Sequence, residues 1–412
     1  MKRRLIAVAL LGVCVVLAVI EAKSQGPGTD FHARWIFGRW FWSGEPLYVD
    51  VPGVRGPNLY PPFAAMLFQL HTLLPLKLAA GVFYFCNLLL IPLSVRWSKD
   101  ICDALWPLRP TNRWALPLAI VLSAQFLLNN LNLNQVNLAV FALCLFGVRA
   151  YLRQQDWRAA AALVGATAIK VVPLFLLAWL ALRGRRRAAL AVLPLGLACL
   201  VLPIVERGPA QGMRDLSDYY HQLRGFGEGH VVQQYTNQNL AAAVYRLMRP
   251  PAPDQPTERD YRVFTASQAT ASTVYGAGAL LVVTAFLATL VWLRVNAVPL
   301  TVFELSAAFL AGHLLSAITW KAHLVTLLFV FYVFLSLDRR ALGRGERALA
   351  GATLALMVVS GLSGRDLFGD TIHHYVGGYS VIVWTMLLLF GGSLLRLLRP
   401  LPPASSATRS AP

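Results

Sequence analysis

Few residues in this chain are equipped for chemistry, and they stand out because most of the chain is apolar. In "TDFHARWIFGRW" a carboxylate, Asp30, follows the first apolar run and precedes a segment loaded with Trp, Phe and Arg. A carboxylate held at such a boundary can take a proton from a hydroxyl as a general base. A plainer role is capping, with Thr29 or Asp30 satisfying free amides at the start of a helix over 31–42. The two roles are compatible. Lys170 lies inside "GATAIKVVP". A lysine at the centre of a spanning helix costs about 2.5–3.5 kcal/mol to insert, so it calls for a partner or a cavity. Phosphate suits its compact ammonium, and snorkelling to the surface is the alternative.

Further polar groups repeat this pattern. "SAITWKAHLVTLL" puts Lys321 and His323 at the mouth of an apolar run, where they could bind phosphate or sugar. "NNLNLNQVN" carries Gln135 and Asn137, and amides bond well to hydroxyl-rich ligands. The same run also reads as a polar turn. "YTNQNL" adds Asn237 and Asn239, and Tyr60 leads "YPPF", where the prolines hold the chain extended before a short helix. Asp366, Asp370, His373 and His374 match no fixed metal-ligand spacing, so no metal is expected. There is no Walker A loop, HExxH, GxSxG, or GxGxxG after a strand, nor a soluble domain able to hold a nucleotide sugar in a Rossmann crevice. No cofactor is expected, and any donor must arrive through the membrane.

The elements that position these residues are helices. The 412 residues are 57% hydrophobic and 14% charged, with mean hydropathy +0.56. Many runs approach the roughly 20 apolar residues that cross a bilayer, and helices satisfy their own backbone in lipid. The expected fold class is an all-α polytopic membrane protein with about 12 segments: 5–20, 78–96, 113–128, 135–151, 158–169, 171–182, 187–205, 270–294, 298–318, 321–337, 347–362 and 377–395. Lys170 and Pro173 break the pair 158–182, which reads as a tight or re-entrant hairpin, and 61–76 reads as a half-inserted outer piece. The first run would also fit a cleaved leader, but an uncleaved first span is simpler. Residues 1–397 read as one integral-membrane domain, with 206–269 a large outer loop and 398–412 a disordered cytoplasmic tail.

The net charge of +18 does not point to nucleic acid, because the basic residues cluster in short loops between apolar runs. There they set topology and meet lipid head groups. Placing both termini in the cytoplasm puts the basic loops 2–4, 96–113, 149–158, 183–187 and 338–347 inside. Asp30, 129–137, Lys170, 206–269, 320–323 and 364–375 then share the outer face, on which Arg34, Arg39 and Arg55 fit poorly. The five cysteines show neither CxxC nor metal spacing.

Taken in order, "DFHARWIFGRWFWSGEPLY", "YPPF", "NQVNLAVFAL", "GATAIKVVPLFLLAW", "NQNL" and "WKAHLVTLLF" resemble glycosyltransferase family 87, the polyprenol-phosphate-mannose-dependent mannosyltransferase-like proteins with the GT-C fold. The motifs run over positions 30 to 330. Where that family usually has Gly-Gln-x-Asn, this chain has Asn134-Gln135-Val136-Asn137; its Lys170 to Pro173 fits the Lys-x-x-Pro pattern. The resemblance implies outer-face interfacial helices, Asp30 as catalytic base, Lys170 at the carrier phosphate and His323 as a second essential polar group. It implies an inverting transfer of a hexose, with mannose leading, from a polyprenyl-phosphate donor to a glycolipid or glycan acceptor. It also implies a cell (plasma or inner) membrane location with the site on the periplasmic or extracellular side. Two rivals stay open: a lipid-linked polysaccharide polymerase or ligase, which Arg207, Arg214, His221, Arg224 and His230 would serve, and a glycolipid transporter.

Overall fold

The computed structural model describes residues 2–50, 58–105, 112–226, 233–251, 259–338 and 342–398. Arg55, His230, Arg339, Arg340 and the tail beyond Leu398 lie outside them. The described residues form helices joined by short connections, without a strand among them. The chain opens with α1 (Lys2–Ser24) and α2 (Asp30–Ser43). Next come α3 (Pro62–Phe68), α4 (Leu76–Leu105), α5 (Ala115–Asn132), α6 (Asn137–Leu152), α7 (Asp156–Ile169) and α8 (Leu174–Arg183). The middle holds α9 (Arg186–Arg207), α10 (Pro209–Phe226), α11 (Leu240–Met248) and α12 (Gln268–Val295). The last part holds α13 (Val302–Leu315), α14 (Leu327–Leu335), α15 (Arg344–Leu362), α16 (Arg365–Gly378) and α17 (Val381–Leu397).

The twelve expected segments differ in length once folded. Among the described residues five helices, α4, α5, α9, α12 and α15, are long and apolar enough to cross a membrane. A sixth crossing results if α16 and α17, bent by 54°, are taken together. The segments expected at 135–151, 171–182, 298–318 and 321–337 become apolar helices of 10–17 residues. At 1.5 Å per residue the shortest of these falls well below a hydrocarbon core of about 30 Å. Their length follows from their position. α6, α13 and α14 carry the most thoroughly buried side chains and form the centre of the core, whereas α9 and α12 leave Leu193, Leu197, Leu280 and Leu281 exposed. An apolar stripe turned outward on a long helix suits lipid; a short helix walled in by others does not need to reach both head-group layers.

Three local features position the site. The break expected inside 158–182 is real: α7 ends at Ile169, Lys170 is extended (φ −152°, ψ 125°), and Pro173 leads into α8. Proline cannot supply an amide for a continuing helix, so the chain turns there. Segment 61–76 forms α3 and a 3₁₀ turn over Gln69–Leu73 ahead of α4. The described part of 206–269, expected as the large outer portion, is largely helical and holds α10 and α11. α10 is amphipathic, with polar and apolar residues on opposite faces, and it packs on α9 and α3.

Candidate active site

Asp30 is the first residue of α2, and Thr29 does the capping: Thr29 Oγ1 accepts the His32 amide at 3.2 Å. The Asp30 carboxylate is therefore not consumed by its own helix. Gln135 Nε2 donates to Asp30 Oδ2, and Gln135 Oε1 accepts from the Tyr60 hydroxyl at 3.1 Å. Burial pushes the Tyr60 phenol up to about 12, with Arg34 opposing and Asp30 adding to the rise, so Tyr60 remains a donor. Gln135 follows a tight turn in which Asn134 takes a left-handed backbone (φ 47°). Asparagine tolerates this better than branched residues. Asn134 Nδ2 holds the Ala80 carbonyl at 3.1 Å, and Asn87 Nδ2 holds that of Gln135 at 3.3 Å. The amide run is thus a turn and also a device that aims Gln135 at the carboxylate.

Lys170 Nζ donates to Asn137 Oδ1 at 2.6 Å, and Asn137 Nδ2 donates to the Ala322 carbonyl at 3.0 Å. Asn137 therefore ties the lysine to the segment carrying His323. Gly312 of α13 lets that helix approach the lysine loop, because a Cβ there would collide with the Val172 carbonyl oxygen. His323 is 7% exposed. Its Nδ1 lies 3.1 Å from the Ile318 carbonyl and its ring stacks on Trp320 at 5.9 Å and 22°. The Trp320 amide also donates toward Nδ1 at 3.3 Å, so the backbone engages Nδ1 from two sides and Nε2 is the ring atom left for other work.

These groups share one cavity of about 660 Å³. Asp30, Tyr60, Gln135, Lys170 and His323 line it, together with Asn58, Tyr219, Gln234 and Trp320. Phe37, Leu59, Val171, Leu174, Phe175 and Leu223 make the rest apolar. A volume of this size, mostly apolar with a few convergent polar groups, is typical of a small-ligand site. Asp30, the amide turn, the lysine loop and the segment before α14, four separate stretches that the charge pattern assigned to one face, meet here.

The remaining predicted site residues lie elsewhere. Asn137 acts behind Lys170 and does not face the cavity. Asn239 caps α11 through the Ala242 amide at 2.7 Å and donates to the Ser316 and Ala317 carbonyls, and Asn237 Oδ1 accepts the Thr319 amide at 2.9 Å. Both shape the 316–320 wall from outside the cavity. Lys321 points away, to Gln125 Oε1 at 3.0 Å, the Ser363 carbonyl at 2.9 Å and His373 Nδ1 at 3.1 Å. Among the described residues no three His, Cys, Asp or Glu side chains gather as metal ligands.

One buried neighbour was missed. Arg34, which fitted the topology poorly, is 1% exposed. Its Nη2 donates to the Asn134 carbonyl, its guanidinium lies over Phe83 and Phe31 at 4.9 and 5.1 Å, and its Nε and Nη1 have no hydrogen-bond partner in the protein. The signal was its spacing. Arg34 stands four residues after Asp30, so both lie on one face of α2.

A profile of glycosyltransferase family 87 matches residues 58–317, more than half of the chain. The chain belongs to glycosyltransferase family 87. With its membrane-length helices it is a multi-pass membrane member of that family. A polyprenol-phosphate-mannose-dependent alpha-(1-2)-phosphatidylinositol mannoside mannosyltransferase of Mycobacterium tuberculosis (strain ATCC 25618 / H37Rv) is 27% identical over 225 residues, covering 52% of this chain and 51% of that protein. The chain thus spans about half the length of the curated relative it matches. No solved structure matches it. The matched family segment holds Tyr60, Gln135 and Lys170 but stops short of Asp30 on one side and His323 on the other. Folding brings both to the family segment's cavity.

Proposed function

We propose that this chain transfers a hexose, mannose first among candidates, from a polyprenyl-phosphate carrier to a lipid- or glycan-linked hydroxyl, with inversion at the anomeric carbon. The observation that carries the reading is that Asp30 and Lys170 open onto one amphipathic cavity, each oriented by an amide, Gln135 and Asn137. The relative's printed dependence on polyprenol-phosphate-mannose favours the donor class. The site sits on the outer face of a cell membrane in a GT-C-type fold, with both termini cytoplasmic. The asymmetry of the basic loops supports that side.

In this mechanism the acceptor hydroxyl lies against Asp30, which takes its proton as the oxygen attacks the anomeric carbon. The C–O bond to the carrier phosphate breaks, and the pair of electrons leaves on the phosphate. That group departs charged, so it needs a cation more than an acid, and Lys170 supplies one at the cavity wall. His323 lines the same space. The apolar side, including Phe37, Leu174 and Phe175, suits the isoprenoid. Of the arginines named for the polymerase alternative, Arg207 is engaged by Asp215 at 2.9 Å and by three backbone carbonyls, while Arg214 is exposed and bonds Gln211.

The deciding experiment follows radiolabelled hexose from polyprenyl-phosphate donors, mannose first, onto membrane glycolipid with wild type and Asp30→Asn at equal abundance. Loss of a general base should cost about 10²–10⁴-fold. Equal transfer by both proteins would remove Asp30 from the chemistry. Absence of transfer from every such donor would favour the polymerase or the transporter.

A further inference from the structure

Asp30 and Arg34 stand one turn apart on α2, and the residues they reach, Gln135 and Asn134, are neighbours in the amide turn. Helix and turn are therefore bonded at two adjacent points: Gln135 Nε2 donates to Asp30 Oδ2, and Arg34 Nη2 donates to the Asn134 carbonyl. That carbonyl belongs to the peptide joining Asn134 to Gln135, so the guanidinium grips the backbone from which the orienting amide hangs. The turn is also held from other sides. The Asn134 amide donates to the Leu131 carbonyl at 2.8 Å and the Gln135 amide to that of Asn130 at 2.9 Å, while Asn87 donates to the Gln135 carbonyl at 3.3 Å. Those bonds fix the turn to α5 and α4. The Arg34 bond fixes it to the helix that carries the carboxylate.

For the fold alone this arginine is a costly choice. It is buried, its Nε and Nη1 have no partner, and the rings of Phe31, Phe83 and Phe68 surround its guanidinium at 5.1, 4.9 and 6.0 Å. Burial pulls it below its usual value, and Tyr60 and Asp30 pull it back up. Ring faces attract a cation but do not replace a bonded carboxylate. An apolar side chain of similar volume in place of a buried charge is often neutral or stabilising. A local rule broken in this way points to a use at a functional site.

We propose that Arg34 is a positioning residue for the transfer: it holds the Asn134 carbonyl and, through that peptide, sets the Gln135 amide against the Asp30 carboxylate, so that the base meets the acceptor hydroxyl in one orientation. This rests on the transferase reading and deepens it. Arg34 stands behind the residues that line the cavity and acts through Gln135.

The test uses full-length protein in membranes, assayed with polyprenyl-phosphate mannose and membrane glycolipid, beside unfolding midpoints in detergent. Arg34→Met fills the aromatic box and removes the donor. Its kcat should fall by about ten- to a hundredfold, as displacement of a reacting group by about an ångström does. The donor KM should stay at the wild-type value and the midpoint at or above it. Gln135→Leu should lose activity as well, and adding Arg34→Met to it should lower kcat no further, because residues that act through one another are not additive. A wild-type kcat in Arg34→Met overturns the proposal, as does a wild-type kcat in Gln135→Leu. A loss that multiplies onto that of Gln135→Leu overturns it too, and so does a loss matched by a lower midpoint or a failure to fold, which would make Arg34 a structural residue. If wild type transfers hexose from no polyprenyl-phosphate donor, the transferase reading fails and this role falls with it. An active wild type with an unaffected Arg34→Met removes the role alone.

Discussion

Two of the places where charge is buried among the described residues are built on opposite plans. Between α8 and α13, Arg183 and Glu304 are 5% and 0% exposed at the side chain. Glu304 Oε2 accepts from Arg183 Nε and Trp179 Nε1, both at 3.0 Å, and Oε1 accepts from Arg183 Nη2 and the Thr301 amide, both at 3.2 Å. Arg183 Nη2 also reaches the Val298 carbonyl at 2.6 Å. Around the cavity the saturation stops. Asp30 has one partner for one oxygen, Lys170 has one amide, and Arg34, one turn along α2 from Asp30, keeps Nε and Nη1 unpaired. A scaffold completes its hydrogen bonds, because a half-satisfied buried network is worse than an apolar one. A reacting site keeps capacity for something that arrives.

This contrast makes distinct predictions. The largest effect belongs to Asp30→Asn, with transfer down about 10²–10⁴-fold and thermal unfolding in detergent unchanged. The reverse pattern should follow Arg183→Met. Stranding Glu304 should cost about 3–5 kcal/mol of stability, and adding Glu304→Met should recover most of it. Unfolding midpoints of the single and double variants check this, and an additive loss would break the comparison. Lys170→Met should lower kcat by about 10²–10³-fold, as removal of a donor to a developing anion does, with folded yield preserved because Asn137 keeps its Ala322 bond. The smallest effect is Thr29→Ala, worth about 1 kcal/mol of helix capping. Because Thr29 leads directly into Asp30, activity should fall by a few-fold along with it. An activity loss as large as that of Asp30→Asn would mean that the cap and the base are not separable.

The residues most legible in the sequence were those whose chemistry clashed with their surroundings. Lys170 between apolar runs, and Asp30 just past one, needed an explanation before any fold was known, and both face the cavity. His323 came from the same logic, but its neighbour Lys321 did not follow it. A 3₁₀ turn over Lys321–Thr326 sends adjacent side chains in different directions, and no periodicity announces such a turn. Asn237 and Asn239 look like ligands in a list of amides, yet their partners are backbone carbonyls and amides far along the chain. Composition cannot distinguish a side chain that meets substrate from one that folds a wall. Arg34 was read as a loop charge because burial of a guanidinium among Phe31, Phe68 and Phe83 depends on three segments meeting. Helical character was plain from hydropathy. The number of long helices was not, because a short central helix and a membrane-crossing one carry the same apolar residues.

Arg207 ties this site to its surroundings. It ends α9, pairs with Asp215 of α10, and donates to the carbonyls of Trp40 and Phe41 in the last turn of α2 and of Glu45 just beyond. Asp30 is the opposite end of that same 14-residue helix. The carboxylate is therefore the tip of a stiff rod about 20 Å long, clamped at its far end by Arg207 of α9, which Asp215 of α10 holds in turn. The Asp30 carboxylate and the α9–α10 pair share one mount, so neither can be displaced along that rod without carrying the other.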